Sequence, residues 1–313
     1  MRTVLFHRKY RRFHGGHLKV WHYFNHVLAA PALDARVVFD VDSSWDSSNP
    51  WQQARERVVE SAEGITPDAL FIAGRDWQRF DKLGLLDLDV PKLNLIQHMR
   101  HADEWSIQSR YLDRKAIRIC VSDEVAAAMT DAGANGPVVV IPNGVDVPAE
   151  VDQDQADRPD DLFIAGLKQP AMAARAAEAL AAPGRSIALL TDHAPRDDFL
   201  KAMRRARVTL FLPNEDEGFY LPALEGMALG TLVVCPDCIG NRSFCLPDVT
   251  ALRPGFQFDE LVSAAEMALA QAPEQRQEML ANAREMARRH SLASEREAFH
   301  RVLAELDVLW AST

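Results

Sequence analysis

Glu217 and Glu225 are separated by Gly218, Phe219, Tyr220, Leu221, Pro222, Ala223 and Leu224, and this short run holds the most concentrated chemistry of the chain. Proline suits the first position of a helix, because its missing N–H would be unbonded there anyway. The free N–H groups of that first turn, at the positive end of the helix dipole, suit a diphosphate. An ionised carboxylate is acceptor-only and can take two hydrogen bonds from a diol. Glu225, within the first turn or so, can hold a ribose in this way, and Glu217, in the loop before it, the hydroxyls of a hexose. The spacing places one acceptor near each end of a diphosphate with backbone donors between, which is the pattern of a sugar-nucleotide site. Acidic residues are also favoured at helix starts on dipole grounds. Two glutamates alone therefore fit an ordinary solvated helix start equally well.

The flanking elements must hold these residues at a sheet edge. Val208–Leu212 is an apolar run that reads as a buried strand ending at Pro213, and Thr231–Cys235 reads as a second strand after the helix. Ligands of open α/β sheets sit in the crevice at the carboxyl ends of the strands. The same alternation runs through most of the 313 residues. Strands are predicted at Thr3–Phe6, Arg36–Phe39, Ala69–Ala73, Leu93–Gln97, Ile117–Val121 and Val138–Ile141, then at Asp161–Ala165, Ser186–Leu190, Val208–Leu212 and Thr231–Cys235. Helices are predicted near 17–29, 51–62, 76–83, 104–114 and 122–132, then at 170–181, 196–206 and 222–229, with a largely helical stretch after Leu252. Such alternation predicts parallel sheets covered by helices on both faces. Phe299, Val302, Leu303, Leu306, Leu309 and Trp310 give Ser291–Ser312 the spacing of an amphipathic helix.

The run from Glu217 to Val234, Glu-Gly-Phe-Tyr-Leu-Pro-Ala-Leu-Glu-Gly-Met-Ala-Leu-Gly-Thr-Leu-Val-Val, closely resembles the donor-site signature of retaining GT-B glycosyltransferases, family 4 in particular. Val138-Val-Val-Ile-Pro-Asn143-Gly144-Val145-Asp146 is similar to the segment that closes the N-terminal domain in that family. The resemblance covers the C-terminal half well and the N-terminal half in outline. It implies an α/β fold of GT-B type, two Rossmann-like domains with parallel sheets facing a central cleft. The expected layout is an acceptor-side domain at 1–147, a linker at 148–160, a nucleotide-sugar domain at 161–290 and a helix at 291–313 crossing back to the first domain.

For the site, the resemblance implies Glu217, His98 and Lys168 at the reacting sugar and leaving group. Glu225, Gly218, Phe219, Tyr220, Leu221, Gly15, Gly16, Asn143 and Arg242 are implied as donor-binding. Two departures stand out. The family's arginine after the first strand of the second domain is replaced by Leu167, with Lys168 next to it and no lysine at the usual later distance. Arg8, Arg11, Arg12 or Arg242 are the cations that could substitute. Tyr220 stands where the family usually has glycine, which predicts a narrower sugar site.

Composition bounds the remaining readings. Hydrophobic residues make up 48% of the chain, enough for full cores, and no apolar run approaches the roughly 18 residues of a membrane span. The N-terminus lacks the pattern of a signal peptide, and a cytoplasmic location is expected. A net charge of −10 disfavours nucleic acid as partner. Residues 1–33 nonetheless carry Arg2, Arg8, Lys9, Arg11, Arg12 and Lys19 and no acidic residue. That basic segment suits a phosphorylated acceptor, or peripheral contact of Arg8, Lys9, Arg11 and Arg12 with the anionic inner face of a membrane; a solvated basic loop is the plain alternative. Cys235-Pro-Asp-Cys238 raises zinc or redox chemistry, but the four cysteines are expected to be structural thiols. His22 and His26, one helical turn apart, have a metal-ligand spacing without an accompanying carboxylate in sequence. No metal is expected, and the nucleoside-diphosphate sugar is a co-substrate.

The expectation is a retaining glycosyltransferase acting in polysaccharide, lipopolysaccharide or glycoconjugate synthesis. Its acceptor could be a saccharide, a lipid-linked sugar or a small molecule. The alternatives are a GT-B sugar-nucleotide epimerase, recognised by donor turnover without acceptor, and a non-catalytic sugar-nucleotide-binding protein, favoured by the missing arginine.

Overall fold

The computed structural model describes residues 1–148 and 158–312, so most of the expected linker lies outside the described residues. Contacts divide the chain into one unit of Met1–Asn143 with Ala293–Thr313 and another of Gly144–Leu292.

The first unit contains β1 (Arg2–Arg8), α1 (Gly15–Leu28), β2 (Leu33–Phe39), β3 (Val58–Val59), β4 (Ala69–Ala73), α2 (Asp76–Lys82), β5 (Lys92–Ile96), β6 (Ile117–Cys120), α3 (Asp123–Asp131) and β7 (Val138–Val140). All pairings are parallel, in the order β3-β2-β1-β4-β5-β6-β7. Val4, Leu5 and Phe6 of β1 are all fully buried, as consecutive apolar residues must be where both faces of a parallel sheet are covered. In α1, Val20, Tyr23, Phe24 and Val27 form the buried stripe at three- and four-residue spacing.

Two predicted helices are absent. In place of 51–62 the chain forms a 3₁₀ segment over Pro50–Arg57, broken at Ala54, and then β3. Val58 and Val59 pair with Val37 and Val38 of β2, where β-branched side chains pack well. In place of 104–114 there is only a short 3₁₀ turn at Ser109–Tyr111, following another at Met99–Ala102. The fully buried Arg118 donates to the carbonyls of Tyr111, Leu112 and Arg114. Ser106 and Ser109 hydroxyls bond nearby backbone groups, offering the chain an alternative to helical bonding.

The second unit contains β8 (Asp160–Ala165), α4 (Pro170–Ala179), β9 (Ile187–Leu190), α5 (Arg196–Arg205), β10 (Ala206–Phe211), α6 (Leu221–Ala228), β11 (Leu232–Val234), α7 (Phe258–Ala270) and α8 (Pro273–Arg289). Its sheet is parallel in the order β11-β10-β8-β9. Asp160, assigned by sequence to the linker, opens β8 instead. Just before it, Arg158 donates to the carbonyls of Met203, Ala206 and Leu229.

The last stretch is two helices, α9 (Leu292–Ala304) and α10 (Leu306–Ala311), rather than one. From Ala293 onward it belongs to the first unit. Phe299 packs edge-on against Tyr23 of α1, centroids 4.8 Å apart. Lys19 forms an ion pair with Glu295, both side chains fully buried, and His26 Nε2 lies 2.9 Å from Glu295 Oε1. The chain thus supplies His26 with the carboxylate that local sequence does not, while His22 Nδ1 lies 3.1 Å from the Lys19 Nζ.

Each sheet has one place where its strand order reverses. In the first unit β1 has β2 on one side and β4 on the other; in the second, β8 has β9 on one side and β10 on the other. The carboxyl ends of those strand pairs are the natural ligand crevices of such sheets.

Candidate functional site

In the second unit, three connections converge at the reversal point. After β8 comes Gly166-Leu167-Lys168. A Cβ on Gly166 would stand 2.1 Å from the Ala173 Cβ, so only glycine lets α4 pack this close to the strand end. Gln169 Nε2 then donates to the Pro213 carbonyl, tying this turn to the loop after β10. Lys168 Nζ lies 3.2 Å from Glu217 Oε1. Lys168 is half-exposed, so this pair adds little stability and its cation stays available to a ligand.

Glu225, on α6, is buried at 5% exposure. Its Oε1 lies 2.6 Å from Arg196 at the start of α5, which follows β9. Tyr220 lies near both glutamates. Burial pushes its phenol well above the usual range, with Cys235, Glu217, Cys238 and Glu225 as charge contributors. Both carboxylates thus sit at one end of the sheet, each beside its own cation.

The backbone between them is held rigidly. Tyr220 N–H donates to the Gly240 carbonyl at 2.9 Å and Leu221 N–H to the Phe219 carbonyl at 3.2 Å. A Cβ on Gly240 would come within 2.6 Å of the Glu217 carbonyl oxygen and the Phe219 nitrogen, so this approach requires glycine. Helix α6 begins at Leu221, one residue before the expected Pro222, and no side chain among the described residues caps it. Its first-turn N–H groups can therefore face an anion.

Several expected residues contribute differently from their sequence reading. Phe219 packs against Phe244 and His290, with centroids 5.2 and 6.0 Å away. Tyr220 is buried edge-on against Phe211, so its ring is part of the core rather than a wall narrowing the sugar site. Gly218 lies in the turn beside Glu217. Arg242 is held by both oxygens of Asp237 at 3.0 Å.

The remaining expected residues lie in the first unit. Gly15 and Gly16 are the first two residues of α1, capped by the His14 side chain. His98 caps the 3₁₀ turn after β5 by accepting from Arg100 N–H at 3.1 Å. Asn143 is 2% exposed, and its Oδ1 has no hydrogen-bond partner among the described residues.

Arg196 was not singled out in the sequence, although a signal was present. A cation at the first position of a helix opposes the dipole, and the Glu225 carboxylate is what offsets that cost.

All four cysteines are free and buried. Burial pushes the Cys235 thiol well up, and Asn241 Nδ2 donates to its sulfur at 3.2 Å. A raised thiol disfavours the thiolate that redox chemistry uses. Among the described residues, no group of three or more His, Cys, Asp or Glu is arranged to hold a metal ion. Among them, no helix is long and apolar enough to cross a membrane.

The geometry has counterparts among solved structures. HepE of Anabaena, crystallised with UDP-glucose, superposes with a TM-score of 0.75, covering 98% of this chain and 100% of that one at 14% identity. Sucrose-phosphate synthase of Thermosynechococcus elongatus gives 0.73, with the same coverage and 13% identity. The chain has the GT-B fold. Trehalose-6-phosphate synthase OtsA also matches, with a TM-score of 0.70 over 97% of this chain and 99% of that one at 13% identity. No protein-family model matches the sequence, and no curated protein matches it.

Proposed function

We propose that this GT-B protein is a retaining glycosyltransferase. It would transfer a sugar from a nucleoside-diphosphate sugar to an acceptor hydroxyl, in the synthesis of a polysaccharide, lipopolysaccharide or glycoconjugate. The observation that carries this reading is the pairing of Glu217 with Lys168 and of Glu225 with Arg196 at the sheet's reversal point, beside an uncapped helix start. The crystallised complex of HepE with UDP-glucose supports a donor of this class.

In this reading, donor binding exchanges partners. Glu225 accepts from the ribose hydroxyls and Glu217 from the sugar hydroxyls. Lys168 and Arg196 turn toward the diphosphate, joined by the first-turn N–H groups of α6. Arg196 takes the place of the arginine that Leu167 lacks. The bond from the anomeric carbon to the β-phosphate oxygen breaks as negative charge grows on that oxygen, where preorganised donors act most strongly. The acceptor oxygen bonds to the anomeric carbon from the same face and passes its proton to the departing phosphate oxygen. Two side-chain cations do the charge neutralisation, so chelators leave turnover unchanged.

The test follows nucleoside diphosphate release from a panel of sugar nucleotides, with EDTA present, for wild type and Glu217→Ala. The proposal expects slow donor hydrolysis that falls about 100-fold in the variant. Isomerised donor without acceptor would establish an epimerase instead. Leu167 favours one second reading, a sugar-nucleotide-binding protein without activity, which would show binding and no turnover with any donor.

A further inference from the structure

Strand β9 lies at the edge of the second unit's sheet and pairs with β8 alone. In the first unit the strand at the matching place, β2, sits between β1 and β3. Among the described residues β9 has no such outer neighbour. Two hydrogen bonds fix which way its backbone faces. Leu162 N–H donates to the Ser186 carbonyl at 3.1 Å, and Gly166 N–H to the Leu190 carbonyl at 2.8 Å. Ser186, Ala188 and Leu190 therefore turn their backbone groups toward β8, and Ile187 and Leu189 turn theirs outward. Those outward N–H and C=O groups have no hydrogen-bond partner among the described residues.

Nothing in the strand blunts this edge. Natural edge strands carry charges, prolines or bulges that discourage pairing with another chain. Ile187-Ala188-Leu189-Leu190 has neither charge nor proline and keeps an unbroken register with β8. Leu189 is 43% exposed. Ile187 packs on the core of this unit yet stays half-buried, as do Met172 and Ala177 of α4.

The strand is complementary to itself when read antiparallel about Ala188. Ile187 of one copy then faces Leu189 of the other, and their outward groups exchange N–H···O=C bonds. Ala188, the smallest side chain of the strand, falls on the two-fold axis, in the non-hydrogen-bonded pair where side chains approach most closely. Arg185, held before the strand by both oxygens of Glu266 at 2.7 and 2.9 Å, comes beside Asp192 of the other copy. Asp192 has no cation partner among the described residues. A parallel pairing would instead set like charge against like.

We propose that two copies of this chain associate through β9, edge to edge and antiparallel, joining their four-stranded sheets across a two-fold axis. The inference is independent of the transferase reading.

The test measures the mass of the full-length protein by sedimentation over a concentration series, for wild type, Leu189→Pro, Leu189→Lys and the control Met267→Lys. Proline at 189 removes only the outward N–H, so the ladder to β8 keeps its bonds. Lysine at this exposed position sets two ammonium groups at the seam. Wild type should dimerise, and both Leu189 variants should dissociate about 100-fold more readily. Met267→Lys changes another exposed apolar side chain and should match wild type. Ala188→Cys adds an independent reading. The Cα atoms of a non-hydrogen-bonded pair lie about 4.5 Å apart, within disulfide range. Mild oxidation should therefore join two copies of Ala188→Cys, but not of the control Val249→Cys, nor of wild type, whose cysteines are all buried. A wild-type protein that stays monomeric at every concentration overturns the inference and leaves the edge to a strand of another protein. A dimer that survives both Leu189 substitutions, or that Ala188→Cys fails to cross-link, overturns it too, because its seam lies elsewhere.

Discussion

At the scale of single residues, the sequence singles out Glu217, Glu225 and Lys168 because one continuous motif and one strand end carry them, and the structure places them at one end of a sheet. The pairing of Arg196 with Glu225 is not legible in the sequence, because the two lie 29 positions apart on different helices and no local pattern joins them. Arg196→Ala would leave a buried carboxylate without its cation. It should lower stability by about 1–3 kcal/mol and also weaken nucleoside diphosphate binding, read by chemical denaturation and by titration. A variant with unchanged stability and affinity would remove Arg196 from the site. Arg242 has a closer partner: Asp237, five residues earlier, holds it with both carboxylate oxygens.

At the scale of elements, the parallel strands were readable from their apolar runs, and most helices from their flanks. The misses at 51–62 and 104–114 have a shared physical cause: tertiary partners outcompeted local helical bonding. Val58 and Val59 found β2, and the carbonyls of Tyr111 and Leu112 found Arg118. The docking of α9 on α1 hinges on Lys19 and Glu295, whose side chains are fully buried. Burial opposes the Glu295 charge, yet Lys19 and His26 outweigh it and hold the carboxyl below its usual range. Glu295→Ala should cost about 3–5 kcal/mol, because it strands a buried ammonium, whereas Lys19→Met with Glu295→Leu should recover most of that loss. Urea denaturation of the three proteins checks this, and a double variant no better than the single one would contradict it.

At the scale of the whole molecule, both sheets place their distinctive side chains where the strand order reverses, and neither order could be read from sequence, since pairing is set by contacts distant in the chain. The first unit also concentrates buried histidines. Burial lowers His17 to about 2 and His101 to about 4, and it lowers His26 despite Glu295. Below the ordinary histidine value of about 6.5 the unfolded chain takes up these protons and the folded chain does not. Stability should therefore fall as pH drops from about 6.5, by on the order of 1.4 kcal/mol per pH unit for each of His17 and His101, with His26 adding in the same direction. Below the ordinary glutamate range, protonation of Glu295 adds to the loss, in the same direction. Thermal midpoints between pH 8 and pH 5 test this; a midpoint flat across that range would contradict it.

The central claim is that the second unit binds a nucleoside diphosphate through Glu225. It is tested most directly by the thermal midpoints of wild type and Glu225→Ala with UDP, GDP, dTDP, ADP and CMP. A ligand at about 100 times its dissociation constant adds about 2.7 kcal/mol. The account predicts that at least one diphosphate raises the wild-type midpoint and leaves that of Glu225→Ala in place. No shift with any nucleotide, or an equal shift in both proteins, would contradict it.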